Sequence, residues 1–376
     1  MFFNLSRRAA LALGAGLGIV MSAAPAAASP GNPQDTLVFA HRGAAALRPE
    51  ETLAAYEKAI ADGADFIEPD LVPTKDGVLV ARHESNIAET TDVASHPEFA
   101  ARKTVKVIDG KSEEGWFTED FTLAELKTLR AKERLGAVRG ESRSYDGKLE
   151  IATFDEIAAL AQRSRTTSGL PVGLIPEIKH PTYFAGLGID VPGKLIAAIK
   201  ASDYLRQAPL IVQCFEPATL KRLHTELAGL GNVSLLQLIP TSEVKQPADV
   251  VKAKRKLTFA DMAAPKGLAD IAKYAQWIGA PLRQVITLDA EEKVGPRTAL
   301  LADAHRAGLK IAVFTFRPEN RFLPYNFRYG ENDARWPQGM VADVRKFLVA
   351  GIDGLFTDDP FVARVAVDGG NADPLK

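Results

Sequence analysis

Cysteine is almost absent from this sequence, and neither sign of charge is in excess. The 376 residues contain one cysteine, Cys214, so no disulfide can form within the chain. Lysine and arginine number 46 against 47 aspartates and glutamates, which gives a formal net charge of −1. A chain so close to neutral lacks the basic excess typical of nucleic-acid-binding proteins, and we expect no nucleic acid partner. Its 46% hydrophobic residues suffice for a sizeable buried core.

Long hydrophobic runs are also missing, except near the start of the chain. Arg7 and Arg8 precede the apolar run 9–21, and small residues follow it. This run is shorter than the about 20 residues that a membrane span requires. It predicts an export signal over residues 1–28 that is cleaved before Ser29, with an uncleaved anchor as the alternative. The arginine pair fits a twin-arginine route as well as the general secretory route. We therefore expect a periplasmic or secreted protein with no membrane span once the signal is removed.

After a linker at residues 29–35, short β-rich runs alternate with amphipathic stretches. This alternation is typical of βα units around a parallel sheet. The runs that predict strands are 36–40, 66–72, 172–178, 210–215, 234–239, 277–279, 310–316 and 354–357. Eight strands are the number that closes one (β/α)8 barrel, so the predicted fold class is α/β with a TIM-type barrel.

Helical patterns between these strands occur at 52–61, 154–162, 194–201, 218–228, 297–307 and 341–350. We expect one barrel domain over residues 36–370 and a C-terminal tail at 371–376. The turn dipeptide Asp76-Gly77 predicts a hairpin that extends the second strand. Residues 85–149 show no βα repeat and predict a lobe inserted after the second strand. Residues 317–338, rich in proline and aromatics, predict a loop excursion that is either a substrate-facing lid or a packed loop.

Candidate catalytic side chains stand at the carboxyl ends of the predicted strands. His41 and Arg42 end the first strand, where barrels of this type place their chemistry. Glu68 and Asp70 alternate along the second strand, so both carboxylates lie on one face. Two like charges inside a barrel require a cation, and carboxylate oxygens favour Ca²⁺ or Mg²⁺ over Zn²⁺.

The next two elements add further groups of the same kind. The turn at Asp76-Gly77 brings the chain back, so that His83 is expected beside the second strand. The third strand ends in Glu177-Ile178-Lys179, whose alternation puts a third carboxylate and an ammonium group on one side. Two histidines, three carboxylates, an arginine and a lysine suit phosphoryl chemistry, in which positioning and charge neutralisation carry most of the catalysis.

The order of these motifs resembles the glycerophosphodiester phosphodiesterase family over residues 37–360. The motifs that carry the resemblance are His41-Arg42-Gly43, Pro49-Glu50-Glu51-Thr52, Glu68-x-Asp70, Thr74-Lys75-Asp76-Gly77, His83, Pro176-Glu177-Ile178-Lys179, Val212-Gln213-Cys214-Phe215, Phe314-Thr315-Phe316-Arg317 and the closing segment 354–360.

The resemblance implies a metal-assisted hydrolysis. It implies one divalent cation, Ca²⁺ before Mg²⁺, held by Glu68, Asp70 and Glu177. His41 and His83 would be the general acid and base, in an order that the sequence leaves open. The hydroxyl next to the ester would attack phosphorus, and water would then open the cyclic phosphate. The products would be glycerol 3-phosphate and an alcohol, from substrates such as glycerophosphocholine or glycerophosphoethanolamine.

The resemblance also implies roles around this centre. Arg42 and Lys179 would bind the substrate phosphate. Supporting roles would fall to Glu50 and Gln213. Apart from the resemblance, Phe215, Phe316 and Trp336 could line the glycerol or leaving-group pocket, with a place in the core as the alternative. Two positions depart from the family pattern, since Glu51 stands where Asn is common and Glu84 where Asp is common. Glu51 adds negative charge near a phosphate site.

Three other functions remain as alternatives. A glycoside hydrolase would use paired carboxylates but would leave both histidines without a role. A phospholipase acting on intact lipids would need an exposed apolar rim, which the aromatic excursion could provide. A non-catalytic exported binding protein would be expected to lack a histidine or a ligand. Of the remaining histidines, His180 follows Lys179 at the barrel mouth, where we expect it to cap a loop. The sequence leaves the oligomeric state open.

Overall fold

The computed structural model describes residues 32–241 and 243–371. The predicted export signal at residues 1–28 lies outside the described residues, as do residues 29–31 of the predicted linker and 372–376 of the predicted tail. None of the helices in the described ranges is long and apolar enough to cross a membrane.

Parallel strands form the centre of the molecule, and antiparallel hairpins extend from it. In the described part of the chain the strands are β1 (Leu37–His41), β2 (Phe66–Glu68), β3 (Asp70–Pro73), β4 (Leu79–Ala81), β5 (Thr104–Ile108), β6 (Lys111–Gly115), β7 (Gly173–Leu174), β8 (Glu177–Ile178), β9 (Leu210–Cys214), β10 (Val233–Leu238), β11 (Trp277–Pro281), β12 (Ile286–Leu288), β13 (Val294–Arg297), β14 (Lys310–Phe316) and β15 (Gly354–Thr357).

Eight parallel strand positions close into one barrel. The order is β1, β2 with its continuation β3, β7 with its continuation β8, β9, β10, β11, β14 and β15, and β15 pairs with β1 again. The predicted (β/α)8 fold is therefore confirmed, with each predicted strand region in place. β4 pairs antiparallel with β3 around Asp76-Gly77, where Gly77 has φ +83°, so the predicted hairpin is also present.

Helices cover the outside of the barrel and bury its second layer. They are α1 (Leu53–Ala61), α2 (Leu123–Leu126), α3 (Gly140–Arg143), α4 (Phe154–Arg163), α5 (Pro181–Gly186), α6 (Val191–Ala201), α7 (Pro217–Glu226), α8 (Ala248–Lys252), α9 (Phe259–Ala263), α10 (Pro265–Ile271), α11 (Leu282–Val285), α12 (Leu300–Arg306), α13 (Pro337–Ala350) and α14 (Pro360–Val367).

Three predicted helix starts differ from the structure by three residues or more. α6 begins at Val191, three residues before its predicted start at 194. The helix predicted at 297–307 begins only at Leu300, because residues 294–297 form β13, which pairs antiparallel with β12. α13 begins at Pro337, four residues before its predicted start, since a proline at the first helical position needs no hydrogen-bond partner for its nitrogen. The last two residues of the predicted excursion 317–338 thus belong to α13.

Aromatic residues fill the interior of the barrel. The Phe39 ring packs edge-on against Phe66 at 5.3 Å, Trp277 at 5.9 Å and Phe356 at 5.1 Å between ring centroids. These side chains belong to an interior cluster that is separate from the outer core beneath the helices. Because strand side chains alternate, the residue two positions after each interior hydrophobe also points inward. The pairs that follow this rule are Phe39 with His41, Phe66 with Glu68, Ile175 with Glu177, Ile211 with Gln213, and Phe356 with Asp358.

Residues 85–149 contribute no barrel strand. They form the β5–β6 hairpin, which turns at Asp109-Gly110, together with short helices. Phe99, Trp116 and Phe121 join the same core cluster as the barrel helices. This segment therefore packs onto the barrel and carries arginines to its mouth.

Candidate active site

The strand register brings the predicted acidic residues together at the carboxyl end of the barrel. His41 of β1 is opposite Glu68 of β2. Asp70 of β3 is opposite Glu177 of β8, which in turn is opposite Gln213 of β9. All but His41 are buried, so the groups converge on one buried layer.

Three carboxylates in this layer could hold a metal ion together. Glu51, Glu68 and Asp70 each offer an oxygen within 4.8 Å of the others. Burial and the charges of Asp70, Glu51 and Glu177 raise the pKa of Glu68 well above its usual value. Burial likewise raises the pKa of Glu177 to about 7, although Lys179 opposes this and Asp70 adds to it. Like charges at such distances favour a bound cation.

Two cationic side chains, those of Arg42 and Lys179, lie beside this cluster of carboxylates. The Arg42 backbone N–H donates to Glu68 Oε2 at 2.9 Å, and its Nε lies 3.0 Å from Asp70 Oδ2. Lys179 Nζ lies 3.0 Å from Glu177 Oε1 and 3.5 Å from Asp70 Oδ1. Burial would raise the pKa of Asp70, but Lys179 and Arg42 hold it well below its usual range. Asp70 therefore stays ionised.

The donor set fits a hard divalent cation. Both Asp70 oxygens are buried, and neither accepts a well-directed hydrogen bond within the described residues. Gln213 Nε2 donates to Glu68 Oε1 at 2.9 Å, which orients that carboxylate. Oxygen ligands of this kind are the preference of Ca²⁺ and Mg²⁺. Glu177, the third predicted ligand, is not one of the three carboxylates that meet within 4.8 Å, where Glu51 stands instead. Glu177 lies opposite Asp70 in the strand register and pairs with Lys179.

His41 is held by a carboxylate that comes from the other end of the sequence. Its Nδ1 lies 2.6 Å from Asp358 Oδ1, just beyond β15. An ionised carboxylate only accepts, so Nδ1 carries the proton and Nε2 is left to exchange one. Burial and the charge of Arg42 lower the pKa of His41 to about 4, although Asp358 acts to raise it. The ring is therefore neutral at pH 7.

His83 has the same arrangement on the opposite side of Asp70. It follows β4, and its Nδ1 lies 3.1 Å from Glu84 Oε1. Burial and the charges of Arg42 and Lys179 lower the pKa of His83 to about 4. When protonated, both histidines lie close enough to Asp70 for their charges to lower its pKa.

Four of the residues predicted as support or pocket occupy different places. Glu50 accepts from Arg42 Nη1 at 3.2 Å and from Arg134 Nε at 2.9 Å, which holds the pKa of Glu50 down at about 2 against the opposing effect of burial. Gln213 orients Glu68. Phe215 is partly buried and packs against Phe259, whereas Phe316 is buried against Phe347 of α13 in the outer core.

Glu51, the first departure from the family pattern, has an unusual backbone. Its φ is +63°, a region that asparagine tolerates better than glutamate. Its carboxylate accepts hydrogen bonds from the Tyr56 hydroxyl and from the Asp70 backbone N–H. Burial and the charge of Asp70 raise the pKa of Glu51 well above its usual value. The residue thus supports the β3 backbone at the centre of the cluster.

Sequence reasoning missed the groups that hold Asp358. Arg139 of the inserted segment and Arg317 after β14 both contact Asp358 Oδ2, and Arg139 Nε also donates to Glu319 at 2.7 Å. Asp358 and Arg317 stood in quoted motifs, but nothing near Arg139 in sequence indicated its role. His180, which the sequence predicted to cap a loop, makes no side-chain cap hydrogen bond with α5 and contacts Glu84 and Asp109.

Comparisons with known proteins identify relatives of this chain. Residues 41–362 match the model of the Glycerophosphoryl diester phosphodiesterase family. Glycerophosphodiester phosphodiesterase GDPD6 of Arabidopsis thaliana is 34% identical over 337 residues, which cover 85% of this chain and 82% of that protein. The glycerophosphodiester phosphodiesterase of Haemophilus influenzae is 30% identical over 258 residues, covering 65% of this chain and 68% of that protein.

Solved structures show the same fold. A glycerophosphodiester phosphodiesterase from Agrobacterium tumefaciens superposes with a TM-score of 0.51 at 18% identity, covering 88% of this chain and 99% of that one. A phosphodiesterase from Oleispira antarctica, in complex with the product sn-glycerol-3-phosphate, superposes with a TM-score of 0.53 at 18% identity, covering 88% of this chain and 96% of that one.

Proposed function

Because this chain belongs to the glycerophosphoryl diester phosphodiesterase family, we propose that it hydrolyses small glycerophosphodiesters by two-histidine, metal-assisted catalysis. The family makes it a phosphodiesterase. The finer substrates are glycerophosphocholine and glycerophosphoethanolamine, with glycerol 3-phosphate and an alcohol as products. The observation that carries the proposal is that His41 and His83, each held by a carboxylate, face one buried cluster of acidic side chains.

The acidic cluster is the proposed cation site. Glu68, Asp70 and Glu177 would hold one divalent cation, with Ca²⁺ preferred and Mg²⁺ second. When bound, the cation would neutralise charge that develops on the phosphoryl oxygens. Arg42 and Lys179, which already flank Asp70, would contribute to the same neutralisation and fix the position of the phosphate.

The histidines would move the protons. Neutral Nε2 of one ring takes the proton from the glycerol hydroxyl adjacent to the ester, and that oxygen forms a bond to phosphorus as the bond to the alcohol breaks. The second imidazole gives a proton to the leaving alcohol oxygen. Water then adds to the cyclic phosphate, whose ring opens to glycerol 3-phosphate. Both rings are neutral in the free enzyme, so the ring that donates must gain its proton when the phosphodiester anion is bound.

The test measures release of glycerol 3-phosphate from glycerophosphocholine by the purified protein. We expect release with Ca²⁺, none after chelation, and a loss of about 10²-fold or more in His41→Ala and in His83→Ala. His305→Ala is the matched control, because His305 also pairs with a carboxylate, Asp353, at 2.8 Å but on α12, away from the cluster. Its activity should be unchanged.

Two results would contradict the proposal. Release that survives the chelator would remove the cation from the reaction. The absence of release across the common head groups with either cation would favour an intact-lipid substrate or a binding role.

Export remains a separate proposal. It is supported by the arginine pair and the apolar run near the start of the sequence. Mass spectrometry of the protein from the cell envelope or medium should give a mature chain that begins at Ser29. Replacing Arg7 and Arg8 together by lysine should block export by a twin-arginine route and leave the general secretory route intact. A full-length, cell-retained product would contradict export.

A further inference from the structure

A chain of close polar contacts leads away from His83 across the barrel mouth. Glu84 contacts His83 Nδ1 at 3.1 Å with one oxygen and His180 Nε2 at 2.8 Å with the other. His180 Nδ1 in turn lies 2.6 Å from Asp109 Oδ2. The four residues come from three segments: the chain after β4, the residue after Lys179, and the tip of the β5–β6 hairpin.

The geometry determines the charge of His180. Both of its ring nitrogens lie within hydrogen-bond distance of carboxylate oxygens, which only accept while they are ionised. His180 must therefore donate from both nitrogens, as the imidazolium form does. The pKa agrees: burial would lower it, but the hydrogen bonds with Asp109 and Glu84 raise the pKa of His180 to about 10.

The backbone on both sides of this contact is unusual. His180 has φ +44° and Asp109 has φ +47°, in the left-handed region that non-glycine residues seldom occupy. His180 stands at the first position before α5, yet its side chain does not cap that helix. Two uncommon conformations that meet in one short hydrogen bond indicate a contact that the surrounding structure maintains.

The other histidine has a comparable partner with fixed cations. Asp358, which holds His41 Nδ1, is itself held by Arg139 and Arg317. Glu84 takes the place of Asp358 beside His83, and His180 takes the place of the arginines. The geometry points to His180 as a positioning residue that, through Glu84, orients His83 and sets its proton affinity, with Asp109 tying the β5–β6 hairpin to the site. This inference rests on the proposed role of His83.

The charges around these two rings fix the direction of each effect. Arg42 and Lys179 face His83 and lower its proton affinity, whereas Asp70 and Glu84 raise it. The groups that face His180 are Glu84 and Asp109. Loss of the Glu84 charge should therefore lower the pKa of His83. Loss of the His180 charge should raise it, because Glu84 is then no longer neutralised.

The experiment measures the pKa of His83 and the turnover in parallel. The imidazole NMR signal that is missing from His83→Ala is followed against pH in the Ca²⁺-loaded protein. We expect a downward shift in Glu84→Gln and an upward shift in His180→Gln, each of about half a pH unit or more. kcat for glycerophosphocholine should fall on the order of tenfold in His180→Gln with little change in KM.

Two further variants complete the design. Asp109→Asn keeps a side chain that tolerates positive φ, so it should fold even if His180→Gln does not. Because it removes a negative charge while His180 keeps Glu84, it should shift the His83 signal downward, by less than Glu84→Gln does. His305→Gln breaks a histidine–aspartate pair of similar length away from the site and should change neither quantity.

The outcomes separate the inference from the proposed function. Full activity in His83→Ala would remove the assigned role of His83 and the inference with it. An inactive His83→Ala, with His83 shifts of the same sign or no shift in Glu84→Gln and His180→Gln, would overturn the positioning chain alone.

Discussion

Each candidate catalytic histidine has a carboxylate beside Nδ1, and for His41 the hydrogen bond with that carboxylate can be tested alone. Asp358→Asn preserves shape, but an amide can donate to Nδ1 and so stabilise the tautomer that carries its proton on Nε2. We expect kcat to fall by about 10²- to 10⁴-fold with KM little changed, as is typical when such a carboxylate is replaced. Steady-state kinetics on glycerophosphocholine measure this.

Asp353→Asn is the matched control for Asp358→Asn. Asp353 pairs with His305 at 2.8 Å and also accepts from the Ile311 N–H, away from the mouth of the barrel. Activity in this variant should remain at the wild-type level. An equal loss in the two variants would mean that a general change in the fold, rather than the tautomer of His41, lowers the rate.

The roles of the clustered carboxylates can be separated by metal affinity. The oxygens of Glu51 accept from Tyr56 and from the Asp70 N–H, which leaves them less available to an ion than the oxygens of Glu68 or Asp70. We expect Glu68→Gln to weaken Ca²⁺ binding by at least about tenfold and Glu51→Gln by less than about threefold. Calorimetric titration of chelator-stripped protein measures both constants. Equal losses would make Glu51 a ligand.

Among the elements, the barrel strands and the β3–β4 hairpin were predictable, whereas the starts of several helices and the pairing of β12 with β13 were not. Alternation alone placed Glu68 and Asp70 on one face of β2 and β3, because a period of two requires nothing beyond the strand itself. The start of α12 was predicted too early, since β13 forms only by pairing with β12. Periodicity within one segment carries no information about such a partner.

The same limit explains which parts of the site were missed. Arg139 contacts Asp358 across 219 positions of sequence, and Gln213 reaches Glu68 across 145. Motif order suggested that residues such as Gln213 belong to the mouth, whereas Arg139 lies in a segment with no βα repeat. The contact of His180 with Asp109 likewise depends on where a hairpin tip folds, which local sequence does not specify.

The inserted segment should stabilise the barrel through Arg139. This guanidinium is buried between Asp358 and Glu319 and also donates to the Ala45 carbonyl at 3.0 Å. Arg139→Met leaves the buried Glu319 without its cation and Asp358 with Arg317 as its remaining arginine, and we expect the free energy of unfolding to fall by about 3–5 kcal/mol. Urea denaturation measures this loss.

A second variant distinguishes charge from packing at Arg139. Adding Glu319→Gln to Arg139→Met removes the uncompensated charge of Glu319 and should recover part of the loss. Arg206→Met serves as the surface control, since its partner Asp203 is largely exposed, and it should cost less than about 1 kcal/mol. No recovery in the double variant would attribute the effect of Arg139 to packing.

At the scale of the whole molecule, apolar and charged residues occupy opposite ends of the barrel interior. Phe39, Phe66, Trp277 and Phe356 fill one level, and the acidic cluster begins two residues further along the same strands. The closed aromatic layer excludes water from beneath the cluster, which strengthens repulsion among its carboxylates. Unfolding relieves that repulsion, and so does a bound cation. Stability should therefore depend on divalent cations.

We expect Ca²⁺ to raise the melting temperature of the folded chain. At a concentration of 100 times Kd, a single site that exists only in the folded state adds about 2.7 kcal/mol, or roughly 4 °C for a domain of this size. The shift should be larger at pH 8 than at pH 6: the pKa of Glu177 is raised to about 7, so below that pH a proton competes with the cation. Differential scanning calorimetry with Ca²⁺, Mg²⁺ and chelator measures this shift in melting temperature.

In Glu68→Gln the shift should largely disappear, because the variant lacks a ligand. In Glu98→Gln, which replaces an exposed carboxylate on the inserted segment, the shift should be retained. A full shift in Glu68→Gln would place the stabilising ion away from the barrel mouth.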